Sequence, residues 1–229
     1  MGTALRAPRG RRLAVLVLLC VSAPLLAQTI VPVEQEPAHT VKFENAVVRV
    51  IDAALPVGHA TLNHTHSRDN VPVAVAGGRV ATTLIGGAPV ESAVKVGQVS
   101  FAVGGYTHVV ANVGPTPLHF IDVELRMSAP APATLPAEAP PLGGHVLELR
   151  NARVLVHRVV LAPGRRLEPH THAGAVLEVL IGGDTVARGA GIAAPVVAGA
   201  FVWHADGALD AVRNAGRVPY EVVEIELLK

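Results

Sequence analysis

The chain has 229 residues, enough for one domain or two small ones around a real core. Half of the residues are apolar but only 3% are aromatic, so the interior is built from Val, Leu, Ile and Ala, and 22 Gly with 18 Pro favour short strands and turns over long helices. The formal charge is +1, and beyond the first twelve residues no cluster of Lys and Arg resembles a nucleic-acid surface.

Arg6, Arg9, Arg11 and Arg12 precede an apolar run from Leu13 to Leu26, interrupted by Ser22 and Pro24 and followed by Ala27. A basic start, a short apolar middle and a small residue at the end predict a cleaved secretory signal over residues 1–27. A retained anchor is the competing reading, but the run is short for a membrane span. Arg11-Arg12 fits a twin-arginine signal poorly, and Leu19 before Cys20 fits a lipoprotein signal poorly. The expectation is a periplasmic or secreted protein with no stable membrane anchor after cleavage near Ala27. Four of the 19 basic residues and none of the 18 acidic ones lie in this segment, which leaves 15 against 18 in the mature chain. The single cysteine, Cys20, leaves as well, so neither a disulfide nor thiolate chemistry is expected.

Residues 28–42 read as an extended lead-in. Strand-like runs follow at 47–54, 71–76, 79–84, 98–103, 108–113 and 118–125, short, rich in Val and separated by Gly, Pro and Asn. No long stretch keeps a helical period. Closely spaced prolines mark residues 128–144 as a semi-rigid linker, dividing a first domain at 43–127 from a second at 145–229.

The second domain repeats the first. Asn45-Ala-Val-Val-Arg-Val aligns with Asn151-Ala-Arg-Val-Leu-Val, Gly58 with Gly164, and His64-Thr-His66 with His170-Thr-His172. After the histidine pairs the offset shortens by four, and Gly97, Phe101, Gly105 and Asn112 align with Gly199, Trp203, Gly207 and Asn214. Both halves close alike, on Asp122-Val-Glu124-Leu and Glu224-Ile-Glu226-Leu. A duplicated small β-domain is the economical explanation.

Two histidines separated by one residue on a strand face the same side, so His64 and His66 can converge on one ion, with His108 from a neighbouring strand as the third arm. Three neutral imidazoles suit Fe(II), Mn, Zn, Ni or Cu. In the second half, His170, His172 and Asp210 can form a two-histidine, one-carboxylate set, and alternation turns Glu178 to the same face as position 176. The competing reading there is a polar cluster without metal. His59, His119, His157 and His204 have no spacing partner and read as surface or half-buried residues. Phe101 and Trp203 are expected beneath the sites, Tyr106 either faces the first site or the surface, and Arg165, Arg166 and Glu168 form a solvated rim.

These residues resemble the cupin family, whose motifs are G-x5-H-x-H-x3-E-x6-G and G-x5-P-x-G-x2-H-x3-N. Gly58, His64, His66 and Gly77 fall on the first motif, with Asn70 in the glutamate's place; Gly97, Gly105, His108 and Asn112 fall on the second, with Val103 at the proline. In the second half Val176 stands at the glutamate, Ala205 at the proline and Asp210 at the histidine. The resemblance covers nearly all of the mature chain and implies an all-β protein of two tandem antiparallel jelly-roll barrels, each with its site inside one mouth. Asn70 is either a weak oxygen ligand or a residue that satisfies backbone groups near a turn.

Without the glutamate an ion at the first site keeps more of its charge, which favours an anionic ligand or hydroxide. Family members with three histidines and no carboxylate include thiol and diketone dioxygenases, so the resemblance implies one divalent transition metal, Fe(II) favoured, and O₂ chemistry on a small, anionic organic molecule. Oxalate degradation is disfavoured, because those bicupins keep the glutamate. A non-catalytic module that stores metal or captures a ligand is the alternative, motivated by the shortage of acid–base groups near the first site. A homo-oligomer is compatible with either.

Overall fold

A computed structural model describes residues 29–127 and 144–228. The expected signal segment and residues 128–143 of the expected linker lie outside the described residues. The first half contains β1 (Ile30–Pro32), β2 (His39–Glu44), β3 (Val48–Leu55), β4 (Asn63–His66), β5 (Asn70–Ala76), β6 (Gly78–Leu84), β7 (Val90–Val94), β8 (Tyr106–Asn112) and β9 (Leu118–Leu125). The second contains β10 (His145–Arg150), β11 (Val154–Leu161), β12 (Arg166–Leu167), β13 (His170–Thr171), β14 (Val176–Gly182), β15 (Thr185–Arg188), β16 (Ala194–Pro195), β17 (Phe201–His204), β18 (Ala208–Leu209), β19 (Val212–Asn214) and β20 (Tyr220–Leu227). The one helical element among the described residues is a 3₁₀ turn at Val33–Gln35.

No sheet mixes strands of the two halves. In the first, β2-β3-β9-β5 faces β1-β4-β8-β6-β7; in the second, β10-β11-β20-β14-β17 is joined by β12-β19-β15-β16 and the β13-β18 pair. All pairings are antiparallel except β1 with β4. The strands expected from sequence differ from those observed in several places, and β4 and β7 fall in none of the expected runs. Residues 98–103 pair only through isolated bridges, Asn70 to Ala102 and Val73 to Val99. The lead-in is ordered into β1, the 3₁₀ turn and β2, and β2 crosses the expected boundary at residue 43. The eighth strand starts at Tyr106, two residues early.

Burial explains which runs alternate and which do not. β14 is buried along almost its whole length, from Val176 to Ile181. Its partner β20 is similarly enclosed. Such strands lie between two layers, so both faces are buried: one is apolar, and the other carries Glu178, Glu224 and Glu226. The layer they meet is the other half. One apolar cluster takes eight buried residues from each half, and they correspond one for one: Val48 with Val154, Val73 with Val179, and Val123 with Ile225. The pattern is that of a self-complementary interface about an approximate two-fold axis. Phe101 and Trp203 pack against this cluster instead of lying beneath the sites, and Trp203 meets Phe43 of the other half at 6.1 Å.

The polar rim of the interface follows the same symmetry. Arg158, paired with Glu221, donates to the Gly97 carbonyl, while His119, 2.8 Å from Asp52, lies against Gly199. Gly97 (φ 75°) and Gly199 (φ 84°) occupy matching left-handed turns, and a Cβ on either would collide with the ion pair opposite. Arg153 to Asp69, at 2.7 Å, adds a further bridge between halves.

Candidate metal centre

In the first half the site is a product of strand register. β4 and β8 pair with His64 opposite His108 and His66 opposite Tyr106. Alternation then puts all four side chains on one face. The nitrogens of His64, His66 and His108 lie within 4.8 Å of one another. His64 Nε2 and His108 Nε2 are 2.9 Å apart. Two nitrogens bound to one ion at about 2.1 Å and at right angles sit about 3 Å apart. The residues present therefore fit a single transition ion.

Neighbours fix the rings. His64 Nδ1 donates to the Leu62 carbonyl at 3.0 Å, which leaves Nε2 with its lone pair toward the cluster. His66 stacks on Tyr106, with ring centroids 4.9 Å apart and an interplanar angle of 12°. Its Nδ1 lies 3.5 Å from Asp122 Oδ2 and 3.3 Å from the Asn70 amide nitrogen. That amide donates to the Arg68 carbonyl and the Tyr106 hydroxyl, which uses both its hydrogens and leaves His66 Nδ1 as the donor facing Asp122. Asn70 thus satisfies one backbone carbonyl through its amide, while its Oδ1 lies 3.4 Å from the Tyr106 hydroxyl.

Electrostatics keep these rings neutral. Burial, reinforced by His108 and His64, pushes the His66 imidazole down to about 2. Burial and the neighbouring His64 and His39 push His108 down to about 3. His64 is lowered too, mainly by burial. Neutral imidazole is the form that ligates metal. Burial, helped by Glu124, raises Asp122 to about 7, and burial raises the Tyr106 hydroxyl so that it stays protonated. Tyr106 thus takes the site-facing of its two expected placements, and Asp122 is an acid–base group that sequence reading did not find.

The lead-in supplies two more. His39 stands edge-on to His64 at 4.8 Å. Glu36 is 3% exposed and accepts from the backbone of Ala38 (2.6 Å) and Leu62 (3.1 Å), tying the lead-in to the strand that carries His64.

The second half places His170 and His172 together but dismisses their expected partners. In the first half His64 pairs with His108; in the second His170 pairs with Leu209, not with Asp210. A slip of one residue turns a side chain to the opposite face. Leu209 is buried, whereas Asp210 is exposed at the break between β18 and β19 and faces Gly189. Glu178 is buried but held by Arg188 at 2.7 Å and His204 at 3.1 Å, a neutralised pair apart from the histidines.

Other donors take their place. His145, His170, His172 and Glu224 bring their ligand atoms within 4.8 Å of one another. Glu224 Oε2 accepts from His145 Nε2 at 2.9 Å and lies 3.3 Å from His172 Nε2. His172 Nδ1 donates to Glu226 Oε2 at 3.0 Å. His157, expected to be isolated, packs on His172 at 5.8 Å and shares a second grouping with it and Glu226. Burial opposes the charge on His172, but hydrogen bonds to Glu224 and Glu226 outweigh it and hold the ring up at about 9. Those same histidines hold Glu224 well below the usual carboxylate range against the effect of burial.

No protein-family model and no curated protein sequence matches the chain. Solved structures do. AerE from Microcystis aeruginosa superposes with a TM-score of 0.62 at 12% identity, covering 85% of this chain and 99% of its own. A cupin 2 conserved barrel domain protein from Leptotrichia buccalis gives 0.54 at 11% identity, over 83% and 88%. A salicylate 1,2-dioxygenase from Pseudaminobacter salicylatoxidans gives 0.54 at 12% identity, over 79% and 71%. At these identities the likeness carries the fold alone: the chain has an all-β, antiparallel fold similar to that of these structures.

Proposed function

We propose that the protein is an exported bicupin whose first half holds one divalent transition ion through His64, His66 and His108 and oxidises a small, anionic organic molecule with O₂. Fe(II) is the favoured ion. The observation that carries this reading is the 2.9 Å approach of two ring nitrogens, His64 Nε2 and His108 Nε2, in rings that burial keeps neutral. Two bare lone pairs repel at that distance. A shared proton or a cation relieves the repulsion, and the third imidazole beside them favours the cation.

A bound ion of this kind supplies O₂ activation and a point of attachment for a carboxylate or phenolate. The chain's own residues do the rest. The Leu62 carbonyl and Asp122 orient His64 and His66, the Tyr106 ring holds His66 by stacking, and its protonated hydroxyl is a donor beside Asn70. Because no carboxylate stands among the three ligands, the ion's charge is left to attract an anion. The salicylate 1,2-dioxygenase, described also with gentisate, acts on such an anion and shares the fold, which supports hydroxylated aromatic acids as the first substrates to try.

Oxygen uptake tests the reading, with protein lacking a histidine tag, loaded with Fe(II) and given salicylate, gentisate, thiols and diketones. Turnover should be lost in His108→Ala and kept in Asp210→Ala. Protein that holds no stoichiometric metal, or turnover that survives His108→Ala, overturns it. The deep burial of His64 (1% exposed) and His66 (3%) favours one other reading, a module that captures metal or ligand without turnover. That reading predicts stoichiometric metal with no oxygen uptake on any substrate.

A further inference from the structure

A cleft of about 690 Å³ opens in the second half, not the first. His145 and His170 form its buried wall, Leu161 and Leu167 line it, and Arg165 and Arg166 stand exposed on its lip. We propose that His145, His170, His172 and Glu224 hold a second divalent transition ion, and that this cleft admits a small organic carboxylate to it. The inference is independent of the ion assigned to the first half.

Four observations carry it. The donor atoms lie within 4.8 Å of one another and come from β10, from β13 and the residue that follows it, and from β20. Two of the rings are aimed: His170 Nδ1 donates to the Glu168 carbonyl at 3.1 Å, as His64 does to Leu62, and His172 Nδ1 donates to Glu226. Glu226 is itself fixed by the N–H groups of Ala173 and Gly174 through its other oxygen. A carboxylate behind a ligating histidine is the usual way such a ring is oriented. In both rings Nε2 is the nitrogen left over.

Those leftover atoms are the third observation. His170 Nε2 and His172 Nε2 are buried and make no hydrogen bond of proper geometry; their nearest polar neighbour is Glu224 Oε2, at 3.9 Å and 3.3 Å, itself a member of the proposed donor set. Buried polar atoms without partners are costly and call for an explanation, which a coordinated ion provides. The fourth is charge. One carboxylate offsets half the charge of a divalent ion and leaves the remainder for an anionic ligand. Arg165 has no ion-pair partner among the described residues, while Arg166 reaches Glu168 at 3.3 Å. A carboxylate entering the cleft meets this guanidinium first and the ion at the end.

Zinc binding to the untagged full chain, stripped by chelation and assayed by metal analysis after equilibrium dialysis, tests the site. Wild type should take two ions per chain and His108→Ala one. The double variants His108→Ala/His145→Asn and His108→Ala/Glu224→Gln should take none, and His108→Ala/Asp210→Ala should still take one. Circular dichroism melts establish that each is folded, and two different second-half substitutions keep the test decisive if one is not. Retention of one ion by both folded double variants, or one ion in wild type that His108→Ala alone removes, overturns the proposal. One ion that His145→Asn removes and His108→Ala leaves in place upholds it and refutes the first-half site. Salicylate fluorescence then probes the cleft in zinc-loaded His108→Ala. Binding should vanish on chelation and weaken about tenfold in Arg165→Ala/Arg166→Ala. Salicylate binding indifferent to chelation overturns the assignment of the ligand.

Discussion

His39 stands edge-on to His64, with ring centroids 4.8 Å apart at 79°; His145 stands in the same way to His170, at 4.7 Å and 73°. Both pairs are separated by the offset of 106 residues that relates the first parts of the two halves. The first residue of β2 and that of its counterpart β10 thus belong to the two sites. In the first half this strand is positioned by the Glu36 carboxylate, which joins Ala38 to Leu62.

Removing that carboxylate strands two backbone donors. Glu36→Ala should cost about 1–3 kcal/mol of stability, read as a lower midpoint in urea. Because Leu62 also orients His64, the same variant should weaken zinc binding at the first site while leaving the second-half ion in place. Glu36→Gln, which keeps one acceptor oxygen for the two donors, should recover only part of the stability.

Asp122 offers a cleaner probe of orientation, since it lies behind His66 and away from the shared point. Asp122→Asn should lower the affinity of the first site about 10- to 100-fold. Its melting temperature should change little, because the substitution keeps size and removes a carboxyl that burial already disfavours as an anion. Unchanged affinity would reassign Asp122 to packing alone.

The fold class and the first triad could be read from the chain because both rest on local spacing. An H-x-H pair on a strand fixes one face, and the glycines and asparagines at matched positions mark the repeat. The second site could not be read in this way. Asp210 aligns with His108, yet β18 and β19 replace one continuous strand, and the pairing with β13 slips by a residue. Alignment conserves position, whereas ligation depends on register. The signal for the true neighbours was present: His145 keeps the 106-residue offset from His39, and Glu224 matches Asp122 in the closing strand. The lead-in escaped because its pairing with β4 is parallel and involves only Ile30–Pro32, too short to show a period.

The shared apolar layer should make the halves unfold together. Ile121 and Ile225 are 1% and 0% exposed in one cluster contributed equally by both sides. Ile121→Ala and Ile225→Ala should each cost about 2–5 kcal/mol. Calorimetry should show one shifted transition in both variants, whichever half carries the substitution. A split into two transitions would mean that the interface does not couple the halves.

Acid and alkali should strain opposite halves of the metal-stripped protein. His66 and His108 are lowered from their ordinary 6.5 to about 2 and about 3, so below pH 6.5 the unfolded chain binds protons that the folded chain refuses. Stability should therefore fall as pH drops from 6.5 toward 3, by about 1.4 kcal/mol per pH unit for each such ring. His172 has the other sign: raised to about 9, it contributes stability that is complete below 6.5 and lost as pH rises through 9. Urea midpoints measured from pH 4 to pH 10 should show both limbs. Replacing His66 by Asn should flatten the acid limb and leave the alkaline one, whereas replacing His172 by Asn should remove the alkaline limb and also alter the acid one, because His172 holds Glu224 and Glu226 below the usual carboxylate range.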